Sequence, residues 1–198
     1  MNTPRALVTL LSLTATLLGC ATEEESADWM GDDESTADEA LLATDTEALR
    51  AAPFYYEVRG LVTNKCLDIP WGEARAGLPV NQFACHGGPA QRFAFERVGL
   101  GNAYRLRNTS SRLCVTPQAA GAGRFTLVQT ACGQTTQQQF SLDGQLPPYQ
   151  LPQSTLRWVQ DPAYCVDVPS GVATDGVQLQ LYPCHFQSNQ VFRLTGGY

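Results

Sequence analysis

The chain has 198 residues and a formal net charge of −6 at pH 7, but this charge is divided unevenly. Residues 21–52 carry eleven acidic residues and one basic residue, whereas residues 53–198 carry eight acidic and eleven basic residues, and Arg5 completes the balance. After position 53 the basic residues are dispersed arginines and the single lysine Lys65, so we expect no nucleic-acid partner. The low overall pI therefore describes the acidic segment and says little about a ligand of the rest.

The N-terminus has the features of an export signal. Arg5 precedes an apolar run from Ala6 to Leu18 that is too short to span a bilayer comfortably. The run ends in "LLGC", which resembles a bacterial lipoprotein signal, so we predict a signal peptide over residues 1–19 and lipid attachment at Cys20. An ordinary secretion signal is the alternative. Either one takes the chain out of the cytosol, into compartments where disulfides form.

The segment that follows is predicted to be a tether. Residues 20–52 combine the lipidated cysteine with an acidic stretch that has few large apolar side chains, and such a stretch cannot bury enough surface to offset its chain entropy. We predict a disordered linker, with an exposed amphipathic helix around "DEALLATDTEALR" as the alternative. Ala21 after the cysteine resembles the pattern that permits outer-membrane sorting. We therefore expect a lipid-anchored protein of the bacterial cell envelope, on the outer membrane, or a secreted one.

Residues 53–198 are long enough for one domain, and their cysteines come in couples. Apart from Cys20 there are three couples, separated by 19, 18 and 19 positions: Cys66 and Cys85, Cys114 and Cys132, Cys165 and Cys184. Six positions after the second cysteine of each couple stands a glutamine, and two positions further a phenylalanine: Gln91 and Phe93, Gln138 and Phe140, Gln190 and Phe192. This register predicts a threefold repeat of ~50 residues, over about 54–98, 103–144 and 150–195. Spacing alone leaves about fifteen cysteine pairings open.

Within each repeat the pattern is typical of β-strands. The segments "YRLRN", "FTLVQ" and "VQLQLY" alternate apolar and polar residues, and Gly, Pro, Asn and Ser separate such runs. We find no convincing amphipathic helix after residue 53. Three copies of an all-β unit with short strands predict a closed threefold structure that leaves few free strand edges.

The openings "CLDI", "CVTP" and "CVDV", the second cysteine and the Gln-x-Phe close resemble the repeat of ricin B-type lectins, whose usual close is Gln-x-Trp. The resemblance covers residues 54–195. It implies an all-β fold, a β-trefoil of three four-stranded repeats with one disulfide inside each. The sequence differs by Phe at all three closes and by the insertion "DGQLPPYQLPQST" between repeats two and three. Phe is still a large apolar core residue, so the fold expectation stands.

Strand alternation groups the polar residues of the third repeat. Gln180 and Tyr182 point away from the apolar residues between them, and a disulfide inside the repeat would bring Asp167 near both. A carboxylate accepts hydrogen bonds from two adjacent sugar hydroxyls, and an aromatic ring packs against the C–H face of a pyranose. The resemblance implies the same role, and we predict a carbohydrate site made of Asp167, Gln180, Tyr182, His185 and Asn189. A turn-capping role for Asp167 is the alternative.

The other two repeats retain less of this set. Repeat one offers a second candidate carbohydrate site, made of Asp68, Asn81, Phe83 and His86, with Ala90 in place of the asparagine. Repeat two has Thr116, Thr130 and Gly133 where the carboxylate, the aromatic ring and the imidazole would stand, so we predict that it is structural only. The closing glutamines persist in all three repeats, and we interpret them as core hydrogen-bonding residues.

The residue types do not favour catalysis or a metal site. The only histidines, His86 and His185, occupy equivalent positions in different repeats, and a disulfide would remove the thiolate from the cysteine beside each. The acidic residues of the domain are dispersed rather than paired for glycoside hydrolysis. We expect a monomeric protein that is not an enzyme and needs no cofactor or metal.

Three functions remain open at this point. The first is a lectin-like lipoprotein that binds a glycan or polysaccharide mainly through the third repeat and reaches the membrane through Cys20. The second is a trefoil scaffold for protein interaction, such as an inhibitor, with degenerate sugar sites. The third is an accessory binding subunit of a polysaccharide-degrading complex. Retention of the site residues favours the first and the third.

Overall fold

The computed structural model of the protein describes residues 55–143 and 153–196. The predicted signal peptide, Cys20 and the acidic linker lie outside the described residues, as do residues 144–152 of the insertion between repeats two and three. Within the described ranges, no helix has the length and apolar character needed to cross a membrane.

The described residues form twelve β-strands and five single-turn 3₁₀ helices, and they contain no α-helix. The strands are β1 Tyr55–Gly60, β2 Cys66–Asp68, β3 Asn81–Phe83, β4 Arg92–Arg97, β5 Ala103–Asn108, β6 Cys114–Ala119, β7 Phe125–Thr130, β8 Gln139–Leu142, β9 Leu156–Trp158, β10 Tyr164–Asp167, β11 Gln180–Pro183 and β12 Phe192–Gly196. The 3₁₀ turns cover Pro70–Gly72, Pro89–Gln91, Thr136–Gln138, Pro169–Gly171 and Ser188–Gln190. The all-β prediction is confirmed. The first two alternating segments lie in β5 and β7, and the third covers the three residues before β11 and most of β11.

Six of the strands close into a ring. Antiparallel pairing runs from β1 to β4, β5, β8 and β9. A bridge between Ser154 and Phe192 joins the residues before β9 to β12, and β12 pairs with β1, with Tyr56 opposite Gly196. Each repeat thus gives its first and last strand to the ring. Its two middle strands form a hairpin: β2–β3, β6–β7 or β10–β11.

The three hairpins meet around a threefold axis. Val80 donates its backbone N–H to the Leu127 carbonyl, Leu127 donates to Leu179, and Leu179 donates back to Val80, each at 2.9 Å. These residues occupy the same position in each repeat, five before the second cysteine. A ring of six strands with three hairpins around one axis is a β-trefoil, so the predicted fold is confirmed.

The repeated sequence features serve this framework. The closing residues Phe93, Phe140 and Phe192 are all buried in the common core. Disulfides join Cys66 to Cys85, Cys114 to Cys132 and Cys165 to Cys184, which confirms one bridge inside each repeat. Each bridge ties the first strand of a hairpin to the loop that follows the second strand. It therefore fixes the loop in which His86, Gly133 or His185 stands.

Candidate functional site

Asp167 forms the base of a cavity in repeat three. It ends β10, directly opposite Gln180 on β11, and it is only 2% exposed. Its Oδ1 accepts a hydrogen bond from Gln180 Nε2 at 2.9 Å. Its Oδ2 accepts from Asn189 Nδ2 at 2.8 Å and from Gln190 Nε2 at 3.2 Å. Asp167 therefore organises side-chain amides around itself and does not cap a turn.

Tyr182 and His185 form the open side of the same cavity. Tyr182 is 50% exposed, and its ring centroid lies 5.9 Å from that of His185, with the two rings inclined by 65°. His185 Nε2 lies 3.6 Å from Asp167 Oδ2. All five residues predicted for the third repeat line this cavity of about 390 Å³, together with Pro169 and Ser170.

The cavity of repeat one is built in the same way. Asp68 ends β2 opposite Asn81 and is 7% exposed. His86 Nε2 lies 3.5 Å from Asp68 Oδ1, and the Phe83 and His86 ring centroids are 6.5 Å apart at 65°. The four residues predicted for this repeat line one cavity of about 490 Å³. Ala90 completes the wall as the counterpart of Asn189.

The two carboxylates differ in how fully their own protein satisfies them. Asp167 accepts hydrogen bonds from three side-chain amides, whereas Gln91 and His86 are the side chains that favour the ionised form of Asp68. Asn81 Oδ1 is buried and accepts no hydrogen bond from the described residues, although its counterpart Gln180 is bonded to Asp167. The protein therefore satisfies the carboxylate and the neighbouring amide of repeat one less fully than those of repeat three.

The pKa values of Asp68 and Asp167 are both raised. Burial raises the pKa of Asp167 above its ordinary value of 3.8, although hydrogen bonds from Gln180 and Gln190 and the nearby His185 act to lower it. Burial likewise raises the pKa of Asp68, against the lowering effects of Gln91 and His86. Because little water competes in such places, each hydrogen bond that the ionised carboxylate accepts is strengthened.

Trp71 belongs to the cavity of repeat one, and the sequence analysis missed it. It stands in the turn Ile69–Gly72, closed by a hydrogen bond from Gly72 N to Ile69 O at 2.8 Å, with Pro70 before it. The backbone of Trp71 has φ 58° and ψ 5°, a left-handed conformation that costs about 1–2 kcal/mol for a residue other than glycine. Its side chain is nevertheless 93% exposed.

The third repeat has the same turn with a smaller side chain. Ser170 has φ 54° and ψ 14°, and Gly171 N donates to Val168 O at 2.9 Å. Alignment of "CLDIPWG" with "CVDVPSG" places Trp71 opposite Ser170, both three residues after the carboxylate. That alignment is the signal that could have identified Trp71 from the sequence.

In repeat two, which we call the closed repeat, mutually bonded hydroxyl groups occupy the place of the carboxylate and the aromatic ring. Thr116 and Thr130 hydrogen-bond to each other at 2.7 Å, and Gln138 Nε2 donates to each of them at 2.9 Å. Val128 lies opposite Thr116, where the other repeats have Gln180 or Asn81. The carboxylate, the amide and the aromatic ring are thus all absent from this repeat.

The closing glutamines hold the loop after the second cysteine in every repeat. Gln91 Oε1 accepts from His86 N at 2.8 Å, Gln138 Oε1 from Gly133 N at 2.7 Å, and Gln190 Oε1 from His185 N at 2.9 Å. Each Nε2 donates to a carbonyl in the same loop, at 2.9–3.1 Å. Since this bonding persists in the closed repeat, the glutamines belong to the framework before they belong to a site.

Residues 55–143 and 153–196 offer neither a metal site nor a free thiol beside a histidine. There, no group of three or more His, Cys, Asp or Glu side chains is arranged to hold a metal ion. Cys85 and Cys184, the neighbours of the two histidines, are both in disulfides and carry no thiolate. Each histidine faces a single carboxylate instead.

The ring, the hairpin cap and the repeated cavities place the chain among the β-trefoils. Residues 48–131 match the family model described as "Ricin-type beta-trefoil lectin domain-like". The match includes repeat one and most of repeat two, and repeat three shares their strand order and Gln-x-Phe close. No curated protein matches the chain.

Solved structures share this fold at low sequence identity. ThreeFoil, a designed threefold-symmetric protein, is 22% identical, with a TM-score of 0.63 over 71% of this chain and 97% of that one. The Rhizoctonia solani agglutinin is 17% identical, with a TM-score of 0.62 over 73% and 96%. The Macrolepiota procera ricin B-like lectin, solved in complex with lactose, is 17% identical, with a TM-score of 0.57 over 74% and 97%.

Proposed function

We propose that the folded domain is a non-catalytic carbohydrate-binding module that uses the cavities of repeats one and three. The observation that carries this proposal is that one arrangement occurs twice. In both cavities a buried carboxylate lies beside an imidazole and an exposed aromatic ring. The carboxylate accepts from sugar hydroxyls, and the ring packs against the C–H face of the sugar.

The polar and aromatic groups of each cavity stand on a rigid base. Asp68 and Asp167 each end a hairpin strand, and each histidine stands in a loop tied down by a disulfide and a closing glutamine. A preorganised site loses little conformational freedom on binding. The match to a lectin-like family model and the lactose complex of the Macrolepiota procera lectin further support a sugar as ligand.

The proposal includes attachment to the bacterial envelope through a lipid on Cys20, with residues 21–52 as the tether. Single sugar sites of this size bind with dissociation constants on the order of millimolar, about 4 kcal/mol. Dense display on a membrane raises the effective affinity without any new contact.

Cys20→Ser should release the protein from the membrane fraction and leave the purified domain folded. Retention of this variant in the membrane fraction would refute the anchor.

A glycan array with exposed-residue variants tests the sugar sites. Trp71→Ala and Tyr182→Ala each remove the most exposed ring of one cavity, and neither side chain belongs to the core. We expect each single variant to weaken binding at its own site by about tenfold, or about 1.4 kcal/mol, and the double variant to lose array binding. Leu100→Ala is the matched control, because Leu100 is also exposed and lines neither cavity.

The array also discriminates between the candidate functions. Glycan binding by the wild type that persists in the double variant would place the sugar elsewhere on the domain. Absence of binding to any glycan by the wild type would overturn the lectin proposal. The protein-interaction scaffold would then be the better-supported hypothesis.

A further inference from the structure

We infer that the two cavities select different sugars. Repeat one takes a saccharide with a methyl-bearing substituent, acetamido or deoxy, and repeat three takes the unsubstituted, fully hydroxylated sugar. This inference rests on the proposed function, and it concerns which ligand each cavity prefers.

The walls of the two cavities differ at four equivalent positions, and at three of them the polarity of the side chain changes. These three pairs, with repeat one first, are Trp71 and Ser170, Ala90 and Asn189, and Phe83 and Tyr182. At each of the three, repeat one has the apolar member and repeat three has a member with a hydroxyl or an amide. Gly176, contributed by repeat three, adds another wall without polar side-chain atoms to the cavity of repeat one.

Fold stability does not account for Trp71. Its left-handed backbone is strained for any residue other than glycine, and its 93% exposure means that the ring buries almost nothing in the free protein. Ser170 bears the same backbone strain in the other cavity. The indole therefore has its use in contact with a ligand, where it extends the platform begun by Phe83.

Ala90 removes a hydrogen-bonding group at the point where a substituent would lie. Asn189 presents an amide that is bonded to Asp167, so a sugar hydroxyl beside it has a polar neighbour. A hydroxyl placed against the Ala90 methyl group would lose its hydrogen bonds to water without replacement. A methyl group there is favourable, since it buries apolar surface against Trp71, Phe83 and Ala90.

Asn81 adds a polar feature to this apolar wall. Its counterpart Gln180 donates to Asp167, whereas Asn81 Oδ1 has no hydrogen-bond partner among the described residues. Although this oxygen is buried, the Asn81 side chain lines the cavity and offers an amide beside which the amide of an acetamido group could lie. We therefore expect acetamido sugars to gain more from this cavity than deoxy sugars do.

Titrations of single-site variants with matched sugar pairs test the inference. Tyr182→Ala leaves only the cavity of repeat one intact, and Trp71→Ala leaves only that of repeat three. Chemical-shift titration by ¹H–¹⁵N NMR would compare galactose with N-acetylgalactosamine, glucose with N-acetylglucosamine, and galactose with 6-deoxygalactose. In Tyr182→Ala we expect a preference of about fivefold for the methyl-bearing sugar of the pair that binds, the size expected for burial of one methyl group. In Trp71→Ala we expect a ratio of about one or below.

Exchanging the side chains at equivalent positions provides the matched control. Trp71→Ser in the Tyr182→Ala background should bring the ratio to about one, and Ser170→Trp in the Trp71→Ala background should raise it. Both exchanges keep a left-handed residue other than glycine, so circular dichroism should show unchanged folding.

The outcomes separate this inference from the proposed function. Preference for both kinds of methyl-bearing sugar in repeat one supports the inference, and preference for acetamido sugars alone supports it with Asn81 as a contributor. Equal ratios in the two single-site variants would overturn the inference and leave the proposed function intact. Failure of the wild type to bind any sugar of the panel would overturn both.

Discussion

Repeats two and three show how one framework can hold either an open or a closed site. Both have a disulfide, a closing Gln-x-Phe and one of the three hairpins that meet around the threefold axis. In repeat three the buried acceptor is the carboxylate of Asp167, and in repeat two it is the hydroxyl of Thr116. The closing glutamine donates to that acceptor in either case. Framework and ligand chemistry are thus separable within a single domain.

The largest expected effect is on stability, and it should be the same in every repeat. Phe140→Ala and Phe192→Ala each remove a fully buried ring, so we expect each to lower the free energy of unfolding by about 3–5 kcal/mol. Urea unfolding followed by circular dichroism measures this. A cost below about 1 kcal/mol for Phe140→Ala alone would show that the closed repeat is not an equal part of the framework.

Removing a disulfide should separate stability from binding. Replacing Cys114 and Cys132 by Ala, or Cys165 and Cys184 by Ala, should destabilise the domain by about 3 kcal/mol in either repeat. We expect glycan binding at repeat three to weaken only in the second case, because that bridge holds the loop of His185 beside Asp167. Calorimetry and the glycan array would measure the two effects. Equal loss of binding from both pairs would contradict the separation.

Thr116→Asp tests whether a carboxylate alone opens the closed repeat. Thr116 donates to the Cys114 carbonyl at 3.1 Å, and an ionised Asp cannot make that bond. We expect a loss of stability of about 1–3 kcal/mol and no gain of sugar binding, since Val128 and Thr130 supply neither amide nor ring. New binding by this variant in NMR titration would mean that the ring and the amide are dispensable.

The smallest effect is expected from pH. Burial raises the pKa values of Asp68 and Asp167 above 3.8, and protonation takes acceptor capacity and negative charge from the carboxyl. Sugar binding should therefore weaken as pH falls from 7, beginning at a higher pH than for an exposed Asp. The groups facing Asp167 are Gln180, Asn189, Gln190 and His185, and those facing Asp68 are Gln91, His86 and, more distantly, Asp175.

Asp68 and Asp167 should make the folding stability depend on pH in the direction opposite to sugar binding. A raised pKa means that the folded domain binds the proton more tightly than the unfolded chain, so their contribution is greatest at low pH and is lost as pH rises through the raised value. Loss of binding in acid is thus not unfolding caused by these groups. Dissociation constants measured at several pH values, with circular dichroism as control, check this. Unchanged binding below pH 3.8 would contradict it.

The periodic features of the sequence were enough to predict the fold. The couples of cysteines and the Gln-x-Phe closes gave the three repeats, and the resemblance gave the disulfide pairing and the trefoil. The five residues predicted for repeat three do line one cavity, because strand alternation and one disulfide constrain where Asp167, Gln180 and Tyr182 lie. Their role in sugar binding stays a prediction. The closing glutamines make equivalent hydrogen bonds because they stand at equivalent positions of the repeat.

Features that do not repeat were harder to predict. Trp71 has a serine as its counterpart, and nothing in its local sequence shows that its ring is exposed rather than buried. The number of amides bonded to each carboxylate also depends on side-chain length, as Asn81 and Gln180 illustrate. Residues 1–19, Cys20 and the linker lie outside the described residues, so those assignments stay predictions.

The pairing of β1 with β12 has a consequence for biosynthesis. All three disulfides join residues 18 or 19 positions apart, so each can form as soon as its own hairpin has emerged. The ring, in contrast, closes only when Phe192–Gly196 has been made, since until then β1 has a free edge. Each disulfide thus needs only a local stretch of chain, whereas completion of the domain needs its C-terminal strand.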